Sequence, residues 1–350
     1  MARYEAVNNF QEAVYINTAN PEDTHMQSAI GIDIGGTKIS VTLGAERSGD
    51  MEFLASERFD TKGPYMDVLD RAAAIAERLL NDYGRENVTG IGISCGGPLD
   101  SRRGIILSPP NLPGWDGVFV TDFFTKRLGL PAYLRNDADA CALAEWKYGA
   151  GRGLKNVIFL TFGTGLGAGL ILGGRLYSGS SDMAGECGHI RLSEHGPAGY
   201  GKVGAFEGFC SGGGIAQLGA TMAHERIQQG HPPAYCSSLS QMGSITAKSI
   251  ADAANAGDTA ALNVYRLSGE MLGRGLAILV DLLNPEMIII GSIFARSREL
   301  LWPHALRILS AEALPRALAA CRVVPAELGE RLGDYAAVAL GLYGEDERSK

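Results

Sequence analysis

Apolar and polar positions recur in two rhythms along this 350-residue chain. Residues 29–34 (Ala-Ile-Gly-Ile-Asp-Ile) are a short apolar run, residues 35–38 (Gly-Gly-Thr-Lys) a turn, and residues 39–43 (Ile-Ser-Val-Thr-Leu) a strict alternation. Period-two patterning joined through glycines predicts a β-hairpin. The unit returns halfway along: residues 156–162 (Asn-Val-Ile-Phe-Leu-Thr-Phe) enter Gly163-Thr164-Gly165-Leu166-Gly167 and leave through residues 168–172 (Ala-Gly-Leu-Ile-Leu). A repeat this far apart is not a solenoid period and predicts two related lobes facing each other. Between the hairpins, helical spacing over 68–82 precedes a strand at 90–94 and a helix at 138–147. Later, a long apolar helix at 268–283 is stopped by Asn284-Pro285, a buried strand follows at 287–291, and a closing helix runs over 334–343. The pattern predicts α/β architecture. Residues 1–28 are polar and weakly patterned, an N-terminal extension or fraying helix with no assigned chemistry.

Composition narrows the function classes. A hydrophobic fraction of 46% with 20% charged residues excludes a disordered chain. The balance of 31 basic and 39 acidic residues gives −8 with no basic run, which opposes nucleic acid and anionic membranes as partners. No stretch approaches the roughly 18 apolar residues of a membrane span, and the N-terminus lacks a signal-peptide core, so the expected address is the cytoplasm. The six cysteines (95, 141, 187, 210, 236 and 321) form no close pair and read as small core residues.

Several short motifs carry chemistry. Asp33, Gly35, Gly36, Thr37 and Lys38 combine a strand-end carboxylate, two residues without Cβ, a hydroxyl and an ammonium. Such a turn can cradle phosphates while Asp33 holds Mg²⁺ through water, although an ordinary Gly-Gly hairpin would read the same way. The second turn formally matches G-x-G-x-x-[GA], yet a dinucleotide site needs a helix next, and residues 168–172 read as a strand. No Walker-type sequence occurs either. Asn136-Asp137 opens the helix at 138: either Asp137 caps it, or its carboxylate accepts a proton from an alcohol attacking a γ-phosphate. The proline-bounded loop 108–115 fixes Asn111 and Trp115, a pair suited to a sugar's hydroxyls and ring face; a plain turn with Trp115 in the core fits as well. Glu186, His189 and Glu207 sit among small residues and, with the two asparagines, would form a dense hydroxyl-reading set.

Taken in order, these residues resemble the ROK family of repressors, open reading frames and sugar kinases, within the actin-like ATPase superfamily. Asp-Ile-Gly-Gly-Thr-Lys at 33–38, Gly-Gly-Pro-Leu-Asp at 96–100, Asn-Leu-Pro-Gly-Trp at 111–115 and Asn-Asp-Ala at 136–138 carry the likeness. It continues through Gly-Thr-Gly-Leu-Gly at 163–167, Gly-Glu-Cys-Gly-His at 185–189, and Asn-Pro-Glu with Ile-Ile-Ile-Gly over 284–291, covering residues 29–342.

The resemblance implies a two-lobed actin-like ATPase (ribonuclease H-like) fold with a central inter-lobe cleft that closes on sugar. Residues 1–28 would be an extension, 29–137 with a C-terminal helix at 334–350 a small lobe, and 138–333 a large lobe. It further implies an ATP- and Mg²⁺-dependent hexose kinase acting on the 6-hydroxyl, glucose first, with Asp137 as general base. Asn111, Asn136, Glu186, His189 and Glu207 would bind the other hydroxyls. The phosphates would lie on Gly35, Gly36, Thr37, Lys38, Thr164 and Gly165, the nucleoside near Gly213 and Gly291, and Mg²⁺ near Asp33. A homodimer or homotetramer is implied as well. Kinases of N-acetylglucosamine, N-acetylmannosamine or fructose are alternatives of the same class; a non-catalytic sugar sensor and an actin- or chaperone-like ATPase are alternatives of other classes.

One departure stands out. Many members carry C-x-C-G-x-x-G-C-x-E after the Gly-His, and here the thiolate positions read Ala198, Tyr200 and Ala205, so no structural zinc is expected and hydrogen bonds, to Glu194 or the backbone, must orient His189. The segment before the first strand is too short and too weakly basic for a helix-turn-helix module, so no DNA partner is expected.

Overall fold

Isoleucines on one face and small residues on the other organise the first sheet. In the computed structural model, which describes residues 27–348, the principal elements in chain order are β1 (Gln27–Ile34), β2 (Lys38–Arg47), β3 (Asp50–Asp60), α1 (Tyr65–Tyr83), β4 (Val88–Cys95), β5 (Ala132–Asn136) and α2 (Asp137–Tyr148). They continue with β6 (Val157–Phe162), β7 (Leu166–Ile171), α3 (Gly212–Gln228), α4 (Thr259–Leu283), β8 (Met287–Ile290), β9 (Arg322–Pro325) and α5 (Leu332–Arg348). The extension expected over 1–28 falls, save its last two positions, outside the described residues.

Two compact units divide the described chain: residues 27–140 with 331–348, and residues 141–330. The first holds a five-stranded sheet in the order β3-β2-β1-β4-β5. β1 to β3 are antiparallel neighbours, while β1, β4 and β5 run parallel. Side chains alternate across a strand. Thus Ile30, Ile32, Ile34, Ile91 and Ile93 share one core with the apolar stripe of α1 (Val68, Leu69, Ala72, Ala76, Leu79). Each such fully buried aliphatic side chain contributes about 1.5–3 kcal/mol. On the other face lie Ala29, Gly31, Gly90 and Gly92, and there α5 approaches to backbone contact: a Cβ on Gly92 would stand 2.0 Å from the Ala337 carbonyl oxygen.

The second unit repeats the plan with the order β7-β6-β8-β9, an antiparallel hairpin followed by parallel strands. The second glycine turn is followed by strand β7, as the alternation predicted, which removes the Rossmann reading. Helix α4 starts at Thr259 rather than at Ser268, because the Asp258 side chain accepts the Ala261 N–H and caps it. Outward Asn263 and Arg266 blur the helical period there, although Ala260, Ala261, Val264 and Tyr265 are buried at proper spacing. The helix stops where Asn284 takes a left-handed φ of 43° before Pro285.

Candidate active site

Within the first unit, candidate residues gather at the carboxyl ends of the parallel strands, the place where open α/β sheets bind ligands. Register sets Asp33 of β1 opposite Ser94 of β4, and Cys95 of β4 opposite Asn136 of β5. The Ser94 hydroxyl donates to the Asp33 carboxylate. Burial foremost, then the neighbouring charge of Asp137, pushes Asp33 up to about 6; the charge of Asp334 adds to this, and Ser94 and Arg58 oppose it.

Asp137 is the first residue of α2. Its Oδ1 accepts the Ala138 N–H at 2.8 Å, and the Asn136 Oδ1 accepts the same N–H at 2.9 Å. Both side chains therefore contribute to the helix start. Water still reaches Asp137, which is exposed, but the protein crowding its carboxyl weakens solvation enough to raise its pKa; backbone N–H groups oppose the rise.

The first glycine turn is closed by Gly35 N–H donating to the Lys38 carbonyl at 3.0 Å, and it leaves Gly36, Thr37 and Lys38 exposed. Asn111 lies directly beneath it, for a Cβ on Gly36 would meet the Asn111 carbonyl oxygen at 2.6 Å. The Asn111 amide also borders Gly96, and the Asn136 amide borders Gly97, so the Gly96-Gly97 step brings both asparagines together. Trp115 is 2% exposed and packs toward Tyr65, so the sugar-face role that loop 108–115 suggested for it is replaced by a core role.

Sequence reasoning missed what lies below. Asp334, buried at the start of α5, accepts hydrogen bonds from Ser40 at 2.8 Å and Arg58 at 2.7 Å and pairs with Arg331 at 3.3 Å. Neighbouring Gly333 abuts Asp33: a Cβ there would stand 2.6 Å from its Oδ2. Nothing local in Gly333-Asp334 signals partners some 290 residues away. Ser94 was more legible, as a polar residue in register with Asp33 inside an apolar strand.

Within the second unit, Gly163 N–H donates to the Gly165 carbonyl at 3.1 Å, and the Gly163 carbonyl accepts the Gly212 N–H at 2.8 Å. The turn thus rests on the N-terminus of α3, which Ser211 caps through the Gly214 N–H. A Cβ on Gly213 would reach the Thr164 carbonyl at 4.0 Å, and one on Gly163 the Ser292 Oγ at 3.6 Å. Thr164, Gly165, Gly213 and Gly291 accordingly lie in one neighbourhood with Ser292, a residue not anticipated, whose φ is 57°. The Glu186–His189 segment is laid against β7 through Ala168 N–H donating to the Gly185 carbonyl at 2.8 Å. Glu186 and His189 are exposed and Glu207 half-buried, with its Oε2 accepting the Leu166 N–H at 3.0 Å.

A family zinc ion does not fit these residues. Ala198, Tyr200 and Ala205 offer no thiolate; the nearby Cys187 and Cys210 are buried, which pushes the Cys187 thiol up to about 12 and the Cys210 thiol up as well. Among the described residues no three His, Cys, Asp or Glu side chains are placed to hold a metal. His189 is met instead by Lys202, which donates to its carbonyl at 2.7 Å, and by the edge of Tyr200, with ring centroids 6.4 Å apart; Glu194 is not its partner. Gln217 pins Ala198 from both sides, accepting its N–H at 3.0 Å and donating to its carbonyl at 2.9 Å.

Comparison with known proteins places this arrangement. The ROK family pattern matches residues 29–342. The chain is 33% identical over 278 residues to a glucokinase of Thermotoga maritima, covering 78% of this chain and 84% of that one. It superposes with TM-score 0.69 and 30% identity on a ROK family glucokinase of Streptomyces griseus solved with glucose and AMPPNP, covering 89% and 98% of the two chains. A ROK family transcriptional regulator, a homologue of the Escherichia coli MLC protein, gives TM-score 0.76 at 27% identity, over 91% and 78%. The chain belongs to the ROK family and has its actin-like ATPase fold.

Proposed function

We propose that this protein transfers the γ-phosphate of ATP to the 6-hydroxyl of a hexose, glucose first, with Asp137 as the general base. By its family and its kinase relatives the chain is a sugar kinase; the substrate and the residue roles are our reading. One observation carries it: an exposed, crowded carboxylate stands at the end of parallel strands, coupled electrostatically to Asp33 and next to Asn136, whose amide borders Gly97 as the Asn111 amide borders Gly96. A base that accepts a hydroxyl proton in a phosphoryl-transfer transition state needs to be ionised yet basic, and weakened solvation moves Asp137 that way. Asn111, Asn136, Glu186, His189 and Glu207 would orient the remaining hydroxyls. The phosphates would sit on Gly35, Gly36, Thr37, Lys38, Thr164 and Gly165, with Gly213 and Gly291 at the nucleoside.

Asp33 suits a hard cation held through water, since burial first and then the charges of Asp137 and Asp334 make it carry charge reluctantly, and an added positive charge relieves that. When bound, Mg²⁺ supplies charge neutralisation on the transferring phosphate. We place the enzyme in the cytoplasm as a homodimer or homotetramer. Among the described residues no helix is long and apolar enough to cross a membrane.

A coupled ADP-release assay across glucose, N-acetylglucosamine, N-acetylmannosamine, fructose and allose tests the reading. Sugar-dependent ADP release, highest kcat/KM for glucose and a 6-phosphate product are expected. The likeness to a transcriptional regulator favours a second reading, a sugar sensor; sugar binding without ADP release would establish it and overturn the first. ATP hydrolysis indifferent to sugar would instead indicate a chaperone-like ATPase.

A further inference from the structure

Glu207 is built into its surroundings in a way that hydroxyl binding alone does not require. It lies in a one-turn helix (Phe206–Phe209), and its side chain runs through a slot walled by three glycines from separate loops. A Cβ on Gly165 would stand 2.8 Å from Oε2; one on Gly199 would stand 2.8 Å, and one on Gly188 3.2 Å, from the Glu207 Cβ. Along that slot Oε2 reaches the backbone of the second glycine turn and accepts the Leu166 N–H at 3.0 Å. Leu166 is held from its other side as well, because Gly188, next to His189, packs on its carbonyl, where a Cβ would come within 2.1 Å. Among the described residues no lysine or arginine pairs with Glu207. An ionised carboxylate has about four acceptor sites, so one backbone bond leaves acceptor capacity, and the half-buried setting leaves it reachable.

We propose that Glu207 is a positioning residue that joins sugar recognition to nucleotide recognition: one oxygen fixes the turn carrying Thr164 and Gly165, while the other receives a sugar hydroxyl. This rests on the kinase reading above and extends it. A hydroxyl donated to Oε1 fixes the carboxylate plane, and the Oε2 bond passes that constraint to the turn expected to hold phosphate oxygens. By linkage the effect is reciprocal, so nucleotide tightens sugar by the same factor as sugar tightens nucleotide, typically about 5- to 150-fold.

Calorimetry with glucose and Mg-AMPPNP on the full chain tests it, using wild type, E207A, E207Q and E207D, with melting temperatures measured alongside. The expected pattern is specific to a dual role. E207A weakens glucose and, with no sugar present, also weakens AMPPNP by about 5-fold or more, because the turn loses its tie. E207Q weakens glucose but restores AMPPNP affinity, since its amide oxygen still accepts the Leu166 N–H. Equal AMPPNP affinity in wild type and E207A, or equal loss in E207A and E207Q, overturns the proposal. A merely structural role would lower the melting temperature and weaken both ligands in both variants. Should E207A not fold, E207D keeps the carboxylate but withdraws it by one methylene from the Leu166 N–H; AMPPNP binding without sugar should then weaken, and wild-type AMPPNP affinity is the refuting result. Failure of the wild type to phosphorylate any hexose overturns the kinase reading, whereas the AMPPNP comparison between variants addresses only Glu207.

Discussion

The two glycine turns solve one backbone problem with opposite chemistry. Each closes an antiparallel hairpin whose first strand continues into a parallel sheet. The turn at 35–38 is surrounded by charge: Lys38 within it, Asp33 before it, and Asp334 with Arg58 and Arg331 below. The turn at 163–167 carries no charged residue and is held by directed hydrogen bonds, the Gly212 N–H donating to the Gly163 carbonyl and the Leu166 N–H donating to the Glu207 carboxylate. A turn braced by ions tolerates small displacements of its supports, because Coulomb energy falls slowly with distance. A turn braced by directed hydrogen bonds and glycine contacts does not. Charge thus dominates the first half of this comparison, and directed geometry the second.

Four perturbations would break or sharpen that contrast. The largest effect is expected at the charged half: D137N should lower kcat by about 10²- to 10⁴-fold while glucose affinity in calorimetry stays near wild type, and near-normal turnover would remove Asp137 from its role. D334A comes next. It strips Ser40 and Arg58 of their shared acceptor beneath the first turn and should cost about 1–3 kcal/mol in urea unfolding; a loss below about 0.5 kcal/mol would show that water replaces the carboxylate.

Glu145 in the second unit supplies a pH-dependent test of similar size. This fully buried carboxylate accepts the backbone N–H groups of Ala150, Glu327 and Leu328 at 2.9–3.0 Å, and burial raises its pKa against the pull of those bonds. A carboxyl that holds its proton more tightly when folded adds stability below its ordinary value of 4.5 and loses it as pH rises through the folded value. Urea titrations stepped upward from about pH 4.5 should show this decline in wild type and not in E145Q; parallel curves would refute it. The smallest expected effect is none at all. Treatment with 1,10-phenanthroline should leave the melting temperature unchanged, because the positions 198, 200 and 205 carry no thiolate and Lys202, Tyr200 and Gln217 meet His189 and Ala198 instead, and a drop of several degrees would reveal an unrecognised ion.

Local pattern made the sheets legible and long-range pairing did not. Alternation at 39–43 and the apolar runs at 29–34 and 287–291 announced their strands, since a buried parallel strand must be apolar on both faces. The start of α4 was hidden because Asn263 and Arg266 interrupt the apolar count although Asp258 caps the helix. Trp115 was ambiguous in a way only packing resolves, as an indole serves core and sugar equally well in sequence. Glu207 was visible as a polar residue among glycines, but a sequence separation of 41 from Leu166 conceals the bond that gives it a second role. Asp334 was invisible for the same reason at greater range.

The seating of α5 on the glycine face of β1 and β4 has a consequence for synthesis. Residues 141–330 form a continuous unit, able to organise as soon as they leave the ribosome, whereas the first unit lacks its covering helix until residues 331–348 emerge. During that interval the backbone around Gly31 and Gly92 stays uncovered, so a nonsense mutation shortly before residue 331 should release a chain whose later half is sound and whose earlier half is a substrate for chaperones and proteases.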